Sequence, residues 1–179
     1  MGRCHPSERA ARSPSMVRIV FGGLALAVSL AACGGSAPSS TAQADLQRQA
    51  DLYAIDQIEV KWHEAASTHD LDMMMLLWAD NARFNVGAQT FTGKDQIRNF
   101  FATKAAPFKS TNHWVSETPA YKIKTTVNGN KGTLYFECHY VDPSTKTVVN
   151  VVGANQEVAR INGKWLITSS AIASPVLGE

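Results

Sequence analysis

Two side chains in this 179-residue sequence are of types that could carry a reaction from inside a fold, His113 and Cys138. Histidine changes charge within the working pH range, so His113, in Thr111-Asn112-His113-Trp114, is a candidate general acid or base. A neutral histidine hydrogen-bonded at a strand end would leave the same letters. A thiol becomes a nucleophile only when a nearby base or positive charge lowers its pKa; without one, Cys138 is a small buried hydrophobe. His63-Glu64 followed by His69 superficially resembles a zinc-protease motif. The spacing is six residues, which turns a helix through about 600° and sends the two imidazoles to different sides, so no metal site is expected. Asp70 and Asp72 suit a helix start and not a catalytic dyad. No phosphate-cradling glycine loop and no nucleophile elbow is present, and no cofactor is expected.

A third residue has chemistry of another kind. After Met16-Val17-Arg18, the fourteen residues Ile19–Ala32 carry no charge. A helix of that length spans roughly 21 Å at about 1.5 Å per residue, short of a ~30 Å hydrocarbon core. A basic residue, a short apolar run and small residues at its end describe a secretory signal. Leu30-Ala31-Ala32-Cys33 followed by Gly34-Gly35-Ser36 resembles the lipobox of bacterial lipoproteins. The resemblance implies cleavage after Ala32, lipidation of the Cys33 sulfur, and a cell-envelope protein anchored on the extracytoplasmic side. Met16 is the expected start, which leaves Cys4 and His5 without a role. Residues 34–44 read as a flexible tether and 45–179 as the folded domain.

Charge excludes one large class of partner. The first 32 residues hold four Arg against Glu8, so 13 Lys and Arg face 14 acids from residue 33 onward. A nearly neutral body lacks the footprint of a nucleic-acid binder. With Cys33 acylated, Cys138 is a lone thiol, and the domain must be held by its core without an internal disulfide.

Helices must come first in that domain. Leu52, Ile55, Ile58, Trp62 and Ala65 form one stripe of a helix over 46–66, and Asp70 caps a second helix carrying Leu71, Met74, Met75 and Trp78. Short strands are expected at 83–86 and 90–91 about Gly87. Thr92 to Asp95 has the pattern of a capping box, opening a helix with Ile97, Phe100 and Phe101 that Pro107 closes. The period then becomes two, predicting strands over 112–124, 132–142, 147–161 and 164–173, joined by turn-forming Asn, Gly, Asp and Pro. In 132–142 the face bearing Leu134, Phe136, Cys138 and Tyr140 is the more apolar and should point inward, with His139 outward. Three helices followed by an antiparallel meander make an α+β fold.

From the helix before residue 66 through His69-Asp70-Leu71-Asp72, Trp78-Ala79-Asp80-Asn81-Ala82, Phe91-Thr92-Gly93-Lys94-Asp95-Gln96-Ile97 and the final Asn162-Gly163-Lys164-Trp165, the chain resembles the SnoaL-like branch of the nuclear-transport-factor-2-like superfamily over about 50–172. The resemblance implies a cone, in which a curved, mainly antiparallel sheet wraps three helices around an apolar pocket. It includes polyketide cyclases, ketosteroid isomerase and scytalone dehydratase, so fold constrains activity weakly. Where isomerases carry Tyr and Asp this chain has Trp62 and Val86, and where dehydratases carry a Tyr-Asp pair it has Ala66 and Ser67. His113 matches one dehydratase sheet histidine; the second falls near Cys138.

The implied pocket draws on Trp62, Trp78, Phe84, Phe101, Trp114, Phe136, Cys138, Tyr140 and Asn155. With proton-handling groups reduced to His113, the expected function is non-catalytic binding of a small hydrophobic ligand or a partner, with a homodimer through the outer sheet face as one form. The alternative is a cofactor-independent dehydratase, cyclase or isomerase using His113, assisted by Cys138, Tyr140 or Asn155.

Overall fold

The computed structural model describes residues 39–173. The expected signal peptide, Cys33 and residues 34–38 of the expected tether lie outside the described residues. Helix α1 spans Ser40–Thr68, its first turn capped by the Ser39 side chain, which accepts from Ala42 N at 3.2 Å. Residues 40–44, expected as tether, are therefore helical: a Ser cap followed by Ala- and Gln-rich sequence starts the helix earlier than its apolar stripe does. α1 ends at His69, whose φ of 58° lies in the left-handed region, and Asp70 then caps helix α2 (Leu71–Leu76) by accepting from Met73 N at 2.8 Å.

α2 stops short of Trp78, which the helical stripe included. The Leu77 carbonyl accepts from Ile167 N at 2.8 Å, and Trp78 opens strand β1 (Trp78–Val86) beside the last of the described strands. A distant strand thus overrides the local period of four. β1 turns at Gly87 into β2 (Gln89–Thr92). Helix α3 (Lys94–Thr103) starts from Gly93 with no side-chain cap; the capping-box reading is corrected by one residue, since Gln96 reaches back to accept from Thr92 N at 3.0 Å.

The expected single strand over 112–124 is two pieces, β3 (Val115–Ser116) and β4 (Ile123–Asn128). Both pair with β5 (Lys131–Asp142), β3 at Tyr140–Val141 and β4 along Lys131–Phe136. The chain between them crosses over α1, where Ala120 N donates to Glu59. β6 (Thr147–Ile161) and β7 (Lys164–Ala173) complete a seven-stranded sheet of order β2-β1-β7-β6-β5-β3, with β4 also on β5. The β1–β7 pair is parallel and the other pairs are antiparallel. Register shifts at Tyr140/Val141 and Glu157/Val158 bend the long strands, which is how a sheet curves around a helix. The fold is the expected cone-type α+β arrangement.

α1 is pinned inside this curve at its polar end as well as its apolar face. Buried Asp51 pairs with Arg160 of β6 and accepts from Trp165 Nε1 of β7 at 3.3 Å, while the Arg160 guanidinium lies 5.2 Å from the Trp165 ring centre. Further along, Ile55, Ile58, Trp62, Ala65 and Ala66 are buried against the sheet.

Candidate functional site

The buried face of α1 is not wholly apolar. Glu59 and His63 stand four residues apart, one helical turn, so both point toward the sheet, where they are 1% and 0% exposed. His63 Nε2 lies 3.1 Å from Cys138 Sγ on β5. His63 Nδ1 lies 3.1 Å from Glu59 Oε2, an oblique approach in which neither atom completes a well-directed hydrogen bond. The other Glu59 oxygen, Oε1, accepts from Ala120 N at 3.2 Å, the bond that the break between β3 and β4 makes available. The edge of the His63 ring meets Phe136, with ring centres 5.3 Å apart. Carboxylate, imidazole and thiol therefore form one line from α1 to the inner face of β5.

The strand parity read from the sequence puts Cys138 inward, and the structure has Leu134, Phe136, Cys138 and Tyr140 buried on that face. Burial pushes the Cys138 thiol well above its ordinary value and the nearby Glu59 charge adds to the rise, with the polar groups of Tyr140 and Trp62 opposing it. Burial likewise raises the Tyr140 phenol, and the neighbouring sulfur adds to the shift. The resting group is a thiol, with one imidazole nitrogen within hydrogen-bond distance of its sulfur.

Beside this sulfur lies a cavity of about 240 Å³. Trp62 from α1, Phe84 from β1, Phe101 from α3, Cys138 and Tyr140 from β5 and Val152 from β6 line it. Lys104 to Phe108 add a wall in which Lys104 is exposed, so this side meets solvent. Phe84 and Phe101 stack at 5.4 Å, and Trp62 meets Phe101 edge-on at 5.5 Å. A groove of about 670 Å³ runs outside the cone past Tyr53, Lys61 and Leu76. It holds none of the buried titratable groups.

Other sequence candidates fall elsewhere. Trp78 and Phe136 are fully buried behind the cavity wall, each packed on Trp62 at 5.8 and 5.7 Å. Trp114 is half-buried, 6.5 Å from Tyr140 between ring centres, and does not line the cavity. Asn155 is exposed, paired across the ladder with Tyr135 on the outward face of β5. His113 is at the surface, its side chain 62% exposed and its Nε2 3.1 Å from Asp142 Oδ2. The Ser144 hydroxyl and backbone N–H, with His113, hold the Asp142 carboxyl far below the carboxylate range. The expectation that proton-handling groups reduce to His113 is corrected: Glu59 and His63 meet Cys138 inside, and His113 lies away from the cavity. Among the described residues no cluster of three His, Cys, Asp or Glu is arranged to hold a metal.

The outward face of β5 carries one covered charge. Glu137 is 5% exposed, accepts from the Tyr135 hydroxyl at 2.6 Å and lies 3.4 Å from Lys122 Nζ. The Tyr135 hydrogen bond, aided by Lys122 and outweighing burial, lowers this carboxyl from its ordinary value of 4.5. A carboxyl lowered on folding stabilises the fold above its ordinary range, and the contribution disappears as pH falls through the lowered value. Tyr135→Phe is expected to cost about 1 kcal/mol at neutral pH, with its melting curve converging on that of the parent in acid. A difference in Tm that does not shrink as the pH falls below the ordinary carboxylate range would contradict this.

A curved mixed sheet closed on its helices around an apolar cavity defines a ligand-binding cone-fold domain. The chain belongs to the SnoaL-like domain family, whose model matches residues 60–166. Among solved structures it is similar to an NTF2-like protein with a cystatin-like fold from Novosphingobium aromaticivorans, at 16% identity and TM-score 0.66 over 80% of this chain and 94% of that one. It is similar too to the hexachlorocyclohexane dehydrochlorinase LinA-type3 from Novosphingobium barchaimii, at 15% identity and TM-score 0.60 over 75% and 96%. An NTF2-like superfamily protein from Salmonella enterica serovar Typhimurium matches at 18% identity and TM-score 0.56 over 76% and 96%. Likeness at these identities is one of fold. No curated protein matches the sequence.

Proposed function

We propose that this chain is a bacterial envelope lipoprotein, anchored through Cys33, whose SnoaL-like domain binds a small apolar molecule in the cavity between α1, α3 and the inner sheet face. The observation that carries the binding reading is the cavity itself: about 240 Å³, walled by Trp62, Phe84 and Phe101, with Cys138, Tyr140 and Asn150 as polar groups in its sheet wall and Lys104 in the wall that meets solvent. A cavity of about 150 Å³ holds benzene, and drug-sized pockets begin at about 300 Å³, so the fitting ligand has one or two rings. One apolar body with one polar atom, such as a ring ketone or phenol, matches that lining.

Trp62 in the wall makes binding measurable by its fluorescence, with 2-naphthol as the probe. Val152 stands directly across the ladder from Cys138, so Val152→Phe projects a ring into the same space. It is expected to weaken 2-naphthol binding at least about tenfold, a loss of ~1.4 kcal/mol, and to leave the fold intact by circular dichroism. Binding that is unchanged in Val152→Phe, or absent in the parent, removes the cavity reading. Native mass spectrometry of the purified protein tests for a co-purifying ligand. It also tests for a dimer through the outer sheet face, a mode supported by exposed Tyr121, Val148 and Val149.

The envelope reading rests on the lipobox-like residues 30–33, and two acyl chains at ~0.8 kcal/mol per buried CH₂ anchor stably where one is marginal. No helix among the described residues is long and apolar enough to cross a membrane. Labelled palmitate is expected to enter the chain in bacterial cells and to be lost in Cys33→Ala; label persisting in that variant rules the anchor out. The alternative of an enzyme with His113 as acid or base gains no support, because that imidazole faces solvent and Asp142.

A further inference from the structure

We propose that Glu59, His63 and Cys138 form a thiol-activating relay through which the cavity captures an α,β-unsaturated carbonyl compound by covalent addition. The inference rests on the binding reading above and adds to it the class of ligand and the bond that forms. Three observations converge on the sulfur. Cys138 lines the cavity, so a bound molecule lies beside Sγ. His63 Nε2 is 3.1 Å from that sulfur, within reach of its proton. Glu59 Oε2 is 3.1 Å from His63 Nδ1, so a carboxyl group lies beside the imidazole on the side away from the sulfur.

Nothing in a purely structural core calls for this arrangement. A buried carboxylate and imidazole cost desolvation, and apolar residues of similar volume serve packing as well or better. Glu59 Oε2 and His63 Nδ1, both fully covered, lack a well-directed partner in the resting site, slack that a shift of the imidazole on taking up a proton would use.

The step balances without an oxidant or a leaving group. The Cys138 S–H proton passes to His63 Nε2, and the sulfur lone pair forms an S–C bond at the β-carbon. The C=C π pair moves to the α-carbon and carbonyl oxygen, and His63 returns the proton to the α-carbon. The product is a saturated thioether. Uncharged electrophiles are selected because the walls are aromatic and the thiol is neutral at rest.

The test is the rate at which the full chain takes up 2-cyclohexen-1-one, followed by mass spectrometry with peptide mapping that separates Cys138 from Cys4 and Cys33. A relay makes Cys138 react faster in the folded chain than in urea, whereas a merely buried cysteine reacts more slowly when folded. His63→Gln is expected to slow the folded reaction about 10²-fold, and 2-naphthol to protect Cys138 by occupying the cavity. If His63→Gln does not fold, the folded-to-unfolded rate ratio of the parent chain still decides. Slower reaction in the folded chain, or a His63→Gln rate equal to that of the parent, overturns the relay. Should 2-naphthol bind while Cys138 stays unmodified, addition is wrong and the binding reading stands. Should neither occur, both fall.

Discussion

His63→Ala is expected to destabilise the domain by about 3–5 kcal/mol, the range for truncating a large, fully buried ring to Ala. The imidazole is fully buried, and its loss takes away the polar neighbour 3.1 Å from Glu59 Oε2, leaving the carboxyl, itself 1% exposed, with the Ala120 N–H as its donor. It also opens a void against Phe136, whose ring meets His63 edge-on. The two penalties can be separated. Glu59→Leu combined with His63→Leu removes the buried carboxyl group along with the imidazole and puts apolar groups among Ile55, Ile58 and Phe136. Denaturant unfolding should show the double variant recovering most of the single variant's loss. A double variant as unstable as His63→Ala would mean that the cost is one of packing, and that Glu59 and His63 are not coupled. Recovery of stability together with loss of Cys138 reactivity would mark the pair as kept for chemistry and not for the fold.

Gly132→Ala should be the most damaging one-carbon addition in the sheet. A Cβ at this position would lie 2.4 Å from the Thr126 carbonyl oxygen and 3.0 Å from Ile55 Cδ1, with Val158 Cγ2 at 3.3 Å. The first of these is backbone, held in the β4–β5 ladder, and cannot swing aside as a side-chain tip would. Relief requires β4 to part from β5 or α1 to lift from the sheet, so a cost of at least about 1–3 kcal/mol is expected. Gly129→Ala provides the contrast. Its φ of +57° makes a side chain unfavourable, but nothing lies within 4 Å of the added Cβ, and the expected cost is about 1–2 kcal/mol from backbone strain alone. If Tm falls no further in Gly132→Ala than in Gly129→Ala, the close seating of α1 against β5 is not what limits stability there.

Features set within one turn or one strand were legible from the chain itself. The spacing of Ile55, Ile58, Trp62 and Ala65 marks the buried face of α1 because a helix repeats every 3.6 residues, whatever it packs on. Asp70 caps α2 because its side chain reaches a backbone N–H three residues on. Alternation along β5 turned Cys138 and Tyr140 inward, since side chains in a strand point to opposite faces in turn. The strong apolar pattern and turn residues after Pro107 were enough for the layer order, and the motif succession for the family.

Matters settled by contacts between distant segments were not legible. Trp78 fits the α2 stripe equally well, and only pairing with Ile167 makes it strand. The break between β3 and β4 arises because both halves share β5 as a neighbour. His113 is drawn to the surface by Asp142, beyond β4 and most of β5. Pairing His63 with Glu64 and His69 looks along the chain, whereas the relevant partner is Glu59, one turn back on the same face. Two polar residues at i and i+4 inside an apolar stripe are a signal that the amino-acid order itself carries. Their joining to Cys138, 75 residues away, is not, because helix periodicity says which side a residue faces and nothing about which strand will lie there. That choice belongs to the curvature and register of the closed sheet, a property of the whole fold that no local window contains.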